Sequence, residues 1–287
     1  MSTDRDPTLA AAPAGLPAAV PEQDIALDLP GRAPVAARLY GRRQPGGGTP
    51  LVLHFHGGAF VAGGLDNGAY VARLLARAGA VAVSLAYPLA PEHPFPEPVE
   101  IGFAALEAVY RQRVQLAGRR VRLYLAGEEA GGNLAASVAL IARDRGHPPL
   151  AGQILVSPML DPCTGTPSLR ESVTCDNGKC KWTEGWQAFL RSPMDAEHPY
   201  AVPGSVQRLT NLAPTLVLAG DDDPMRDEAM AYAERLRSAG IAVTSRVLSA
   251  TDNWPDALFA PEDNECACGP AVLQQFQAFF EVPEPRP

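Results

Sequence analysis

"LYLAGEEAGGNLAASVALIARDRG", residues 123–146, reads as a strand, a sharp turn and a helix. Apolar residues run as far as Ala126, small residues crowd the turn, and a helix-forming stretch follows Asn133. Gly127, Ala130, Gly131 and Gly132 flank the tip residue, Glu129. A strained tip needs such neighbours, because the incoming strand and the outgoing helix pass close together. Ala135, Ala136 and Ala139 then let the helix lie close against a sheet. Taken alone, the same glycines also suit a tight strand-to-helix turn with no role beyond packing. Turns of this build commonly hold a nucleophilic hydroxyl, so a carboxylate at the tip is the feature to explain.

Outward from this stretch, strand-like and helix-like segments alternate. "LVLHFH" (51–56), "AVAVSLAY" (80–87), "VRLYLAG" (121–127), "GQILVSP" (152–158), "PTLVLAG" (214–220) and "AVTSRVL" (242–248) have the length and apolar character of strands buried on both faces. "DIALDL" and "PVAARLY", joined by "PGRA", predict a hairpin ahead of them. Asp66 is placed to cap a helix carrying Val71, Leu74, Leu75 and Ala78 that stops at Gly79, and Asp227 to begin another carrying Met230, Ala233 and Leu236. A last helix follows Pro270 and turns Val272, Leu273, Phe276 and Phe280 inward. The alternation implies a mostly parallel sheet covered by helices on both sides, with function at the carboxyl ends of the strands. Residues 1–24 read as an N-terminal arm or cap element and 25–287 as one domain. The stretch 162–210 interrupts the alternation with cysteines, tryptophans and prolines and is expected to form a lid.

Composition narrows the function classes. With 46% apolar residues the chain has the material for a sizeable core, and its 32 acidic against 24 basic residues leave a net charge of −8. No basic stripe tracks phosphates, so nucleic acid is not the expected partner. No apolar run reaches the roughly 20 residues that span a bilayer, and the acidic N-terminus "MSTDRDPTLA" does not resemble a secretory signal. A cytoplasmic location is the expectation. The five cysteines, Cys163, Cys175, Cys180, Cys266 and Cys268, argue against an obligatory disulfide framework. "CDNGKCKW" and "CAC" match no common zinc spacing, so free thiols or one incidental disulfide are expected, with neither a metal nor a cofactor.

Three further stretches give the turn a context. "HFHGGAF" (54–60) ends a strand in a glycine loop whose N–H groups can bind an oxyanion, "YPLAPEHPFPEP" (87–98) follows the next strand, and "AGDDDPMRDEAMAYAERLRSAG" (219–240) places an aspartate just beyond another. Together with the turn they resemble the hormone-sensitive-lipase-like branch of the α/β-hydrolases, a family of carboxylesterases, over about residues 34–280. The resemblance implies an α/β-hydrolase fold with a sheet of about eight strands, a cap drawn partly from the N-terminus, and a triad in the chain order Ser, Asp, His. By the same resemblance the oxyanion hole falls to the N–H groups of Gly58, Ala59 and Ala130, and the acid of the triad to Asp223.

The chain departs from that pattern at two places. Where the family has Gly-Asp-Ser-Ala-Gly-Gly it reads Gly127-Glu128-Glu129-Ala130-Gly131-Gly132, and "LSATDNW" (248–254) puts Asp252 in the place of the histidine. All five histidines, at 54, 56, 93, 147 and 198, precede Asp223. Without a hydroxyl to attack and an imidazole to move its proton, standard serine-esterase chemistry is expected to be absent. Ser137 and Ser157 have no base evident in the sequence. One consequence concerns charge: Glu129 at a helix N-terminus beside inward-pointing N–H groups can plug the anion site, while Asp223 and Asp252 would add like charges nearby. A shared proton or an outward rotation of one carboxylate is the expected relief. The expected function is therefore that of a pseudo-hydrolase binding a small molecule, as in the plant gibberellin receptors, where the pocket is kept and the triad is incomplete. The rival is a hydrolase of esters or lactones that works through Glu129 itself. A small-molecule ligand or ester-like substrate is the expected partner, with a homodimer left open.

Overall fold

A computed structural model describes residues 19–44, 48–163, 165–171, 180–249, 254–259 and 266–281. Eight strands, β1 (Glu22–Leu27), β2 (Val35–Tyr40), β3 (Pro50–Phe55), β4 (Val81–Leu85), β5 (Arg122–Glu128), β6 (Gly152–Val156), β7 (Thr215–Gly220) and β8 (Val243–Leu248), form one sheet in the order β1-β2-β4-β3-β5-β6-β7-β8. The hairpin β1–β2 and the β2–β4 pair are antiparallel, and every later pairing is parallel. The helices are α1 (Ala69–Arg77), α2 (Glu97–Ala117), α3 (Ala130–Arg145), α4 (Pro167–Glu171), α5 (Lys181–Phe189), α6 (Pro193–Ala196), α7 (Arg226–Ser238) and α8 (Gly269–Glu281).

Alternation along the central strands sorts side chains to two apolar layers. Leu51, Leu53 and Phe55 of β3 join Leu123 and Leu125 of β5 in one core with Leu106 of α2 and Leu134 of α3. Val52, Tyr124 and Ala126 face the other way and pack with Leu74 and Leu75 of α1 and with Val272 and Phe276 of α8. Both faces of the central parallel strands are thus buried, which is why those strands read as unbroken apolar runs.

Three readings of elements need correction. Strand β8 lies at the sheet edge with Thr244, Arg246 and Val247 exposed, so it is not buried on both faces. Asp66 does not cap α1; Gly68 precedes the helix, and the Asp66 carboxylate accepts from Arg38 Nη1 at 2.8 Å. The 21-residue α2 was not assigned from sequence, although it buries Val99, Phe103, Leu106 and Val109 between β4 and β5 in chain order. Within 162–210 the described residues hold three short helices, α4, α5 and α6, a 3₁₀ turn at Pro203–Ser205 and no strand. No helix among the described residues is long and apolar enough to cross a membrane.

Candidate active-site cleft

The turn after β5 brings three pieces of chain to one point. Glu129 has φ +53° and ψ −118°, a conformation in which a side chain is strained. Its amide donates to Val156 O at 3.0 Å, and its carbonyl accepts from Met159 N at 3.0 Å, so neighbouring β6 pins the tip. The crossing is tight: a Cβ on Gly127 would lie 2.1 Å from Gly131 O, and one on Gly131 would lie 2.1 Å from Phe55 O. Only glycine fits at either place.

The Glu129 side chain points inward and is almost wholly buried, its side chain 1% exposed. Oε2 accepts from the backbone N–H of Gly58 at 2.5 Å and of Ala59 at 3.1 Å. Oε1 accepts from the indole Nε1 of Trp182 at 2.6 Å and lies 3.6 Å from Lys181 Nζ. Lys181 also pairs with Asp256 and sits over the Trp182 ring. Among the described residues, Ala130 starts α3 as a buried residue but is not one of the donors to this carboxylate.

The loop that carries Gly58 and Ala59 is held from below. Glu128, whose side chain is fully buried, receives Gly57 N on Oε1 at 3.2 Å, and its Oε2 lies 2.6 Å from His54 Nε2. The other imidazole nitrogen of His54 reaches Ser84 Oγ at 3.0 Å. His56 stacks on Tyr87 with ring centroids 4.3 Å apart, and the Tyr87 hydroxyl donates to His56 O at 2.8 Å. Burial pushes the His56 imidazole down to about 4 and holds the Tyr87 phenol well above its usual range, with Glu128 and Glu129 adding to the latter. Adjacent Glu128 and Glu129 thus play two parts: one braces the loop, the other accepts its N–H groups. The sequence reading assigned no role to His54 or Glu128. Their only signal was a histidine inside an apolar strand and a second acid beside the tip.

Asp223 lies beyond β7 and has its own set of partners. Oδ2 accepts from Ser157 Oγ at 2.6 Å, and Oδ1 accepts from Met225 N at 2.8 Å. The indole N–H of Trp254 donates to the same Ser157 hydroxyl. Burial pushes the Asp223 carboxyl up to about 7, against those hydrogen bonds, and Asp222 adds a smaller push. Removal from water is thus the largest influence on Asp223, ahead of its acidic neighbour Asp222. The Glu129 side chain is turned inward, and Trp182 and Lys181 of α5 meet it. Ser157 does have a base beside it, but the pair is sealed from solvent. Asp252 lies outside the described residues.

The five histidines are all accounted for. Beyond His54 and His56, His93 pairs with Glu97, His147 meets Tyr110 edge-on and His198 packs on Phe95 and Tyr200. Among the described residues no group of three or more His, Cys, Asp or Glu side chains is arranged to hold a metal ion. A cavity of about 350 Å³ opens beside α5, lined by Pro162, Thr183, Trp186, Leu190, Arg191 and Pro193 among others.

The eight-stranded sheet with the strand-to-helix turn after β5 can be set beside known proteins. The family model described as alpha/beta hydrolase fold matches residues 52–252. The chain belongs to the α/β-hydrolase fold family. It is 35% identical to Esterase LipI of Mycobacterium tuberculosis over 225 residues, 77% of this chain and 70% of that protein. It is 35% identical to the gibberellin receptor GID1A of Arabidopsis thaliana over 207 residues, 67% of this chain and 58% of that receptor. Among solved structures, the Pyrobaculum calidifontis esterase superposes with a TM-score of 0.77 at 33% identity, covering 91% of this chain and 84% of its own. This α/β-hydrolase is a carboxylesterase-like protein.

Proposed function

We propose that this α/β-hydrolase is a pseudo-hydrolase: it keeps the carboxylesterase cleft but lacks the Ser-His-Asp route to ester hydrolysis, and it binds a small molecule. In this reading Glu129 stands at the nucleophile position, Asp223 at the acid, Asp252 at the histidine, and Gly58, Ala59 and Ala130 supply the oxyanion hole. The single observation that carries it is the Glu129 carboxylate lying on the N–H groups of Gly58 and Ala59. An ester carbonyl gains rate from such donors only if its developing oxyanion can reach them. Here they already hold a charge-bearing acceptor, and Trp182 closes over its other oxygen.

The environment of Asp223 supports the same reading. A triad acid orients an imidazole; this one faces a serine hydroxyl that receives the Trp254 indole N–H. An indole donates and never accepts, so it cannot carry a proton from nucleophile to leaving group. The cavity beside α5 has the size of a small-ligand seat, with Trp186 and Leu190 as apolar wall and Arg191 as its charged group. The relatives include one named as a receptor as well as one named as an esterase, which is in keeping with a binding role. The described part of 162–210, whose α5 reaches Glu129 through Trp182, acts as the lid over the cleft, and residues 1–18 of the expected N-terminal arm or cap element lie outside the described residues.

The test is hydrolysis of p-nitrophenyl acetate and butyrate by the intact chain and by Glu129→Ala. We expect equal rates at the buffer background. Turnover by the wild type that disappears in the variant would establish the Glu129-based hydrolase instead.

A further inference from the structure

The cysteines near the C-terminus have an arrangement of their own. Cys266 and Cys268 are joined in a disulfide across one intervening residue, at the N-terminal end of the 13-residue α8. Cys266 is half-buried, whereas Cys268 is 5% exposed and packs in the core with Trp254, Leu258 and Val272. The Cys268 amide donates to Cys266 Sγ at 3.2 Å, and Gly269 N and the Tyr70 hydroxyl donate to Cys266 O at 2.8 and 3.4 Å. The backbone bearing the more accessible sulfur is thus anchored, and an N–H points at that sulfur. Two sulfurs two residues apart close a ring too small to staple distant parts of the fold. Structural stapling does not explain the bond.

We propose that Cys266 and Cys268 form a thiol–disulfide exchange site for small-molecule thiols and disulfides, with Cys266 as the attacking sulfur and Cys268 as the resolving one. In the reduced chain the amide of Cys268 and the positive end of α8 favour the Cys266 thiolate. That thiolate attacks one sulfur of a small disulfide. A mixed disulfide forms at Cys266, and the departing thiolate leaves with the electron pair of the broken S–S bond. Cys268 then loses its proton to solvent and attacks Cys266 Sγ, closing the intramolecular bond and releasing the second thiolate. The small disulfide is reduced by two electrons and the chain's dithiol is oxidised by two; an excess of small thiol drives both steps backward.

The experiment incubates the full chain with reduced and oxidised glutathione in varied ratio, under native conditions, and maps the 266–268 peptide by mass spectrometry. We expect the folded wild type to interconvert between dithiol and disulfide with the ratio. Cys268→Ser should accumulate one glutathione at Cys266, and Cys266→Ser should take up at least about tenfold less at Cys268, because burial blocks access. A pair that changes redox state only when the chain is unfolded, or adducts shared equally between the two single variants, would overturn the proposal. Exchange in the folded wild type is read without any substitution, so a variant that misfolds leaves the test intact.

Discussion

Glu129 is a buried acid whose oxygens are surrounded by donors from two elements outside its own turn. Replacing it with alanine strands the N–H groups of Gly58, Ala59 and Trp182 away from water. Each stranded donor carries a desolvation penalty, so Glu129→Ala is expected to lower unfolding free energy by about 1–3 kcal/mol, read from urea denaturation. Two other buried groups set a pH dependence of opposite sign. Asp223 is raised from 3.8 to about 7, so the folded chain holds a proton that the unfolded chain releases. Its contribution is full below the unfolded value and is lost as pH rises through 7. His56 is lowered from 6.5 to about 4, so its contribution is present above 6.5 and is lost as pH falls through 4. The two oppose each other across the window they share. Asp223→Asn removes one of them, and stability of that variant should rise with pH between about 4 and 6.5 more steeply than in the wild type. Urea midpoints across the window check the sign; a shallower rise in the variant would contradict the assignment.

At the scale of elements, the site depends on how closely helices approach the loop after β3. A Cβ on Gly185 of α5 would lie 2.1 Å from Ala59 O, so the absence of a side chain lets α5 rest on the same loop that feeds Glu129. Trp186 and Phe189 then pack around Phe60, with Phe189 stacked at 4.1 Å. Gly185→Ala should push α5 off the loop and loosen the Trp182 contact with Glu129, at a cost of about 1–3 kcal/mol. Acrylamide quenching of tryptophan fluorescence should increase in this variant; unchanged quenching and stability would show that the contact tolerates a methyl group. The crowding at Gly127 and Gly131 was legible in the sequence, because a strand-to-helix turn of that length has no room for side chains. The need for glycine at 185 was not, because its neighbour comes from a loop far away in sequence.

For the whole molecule, the arrangement of histidines decides what one substitution can restore. His54 and His56 are buried under the loop, and the other three pair with groups outside the cleft. Glu129→Ser would supply a hydroxyl and free the cradle, yet no imidazole stands ready to take its proton. Hydrolysis of p-nitrophenyl butyrate by this variant is expected to stay at background, and a clear gain would point to a base other than histidine in the cleft. The fold class, the order of the parallel strands' segments, the acidic tip and the glycine loop could all be read from residues in a row. Helix α2 escaped that reading, as did the exposure of β8, which follows from its place at the sheet edge.

By itself the amino-acid sequence determined the α/β architecture, the strained turn at 129 and the lack of a histidine after Asp223, since apolar period, steric crowding and chain order are local properties. Tertiary structure alone decided that Trp182 and Lys181 meet the Glu129 carboxylate, that Ser157 and Trp254 take up the space around Asp223, and that His54 and Glu128 brace the loop from beneath. The reason is physical: a buried polar group must find a partner wherever packing offers one, and packing joins residues whose separation along the chain carries no signal of their meeting.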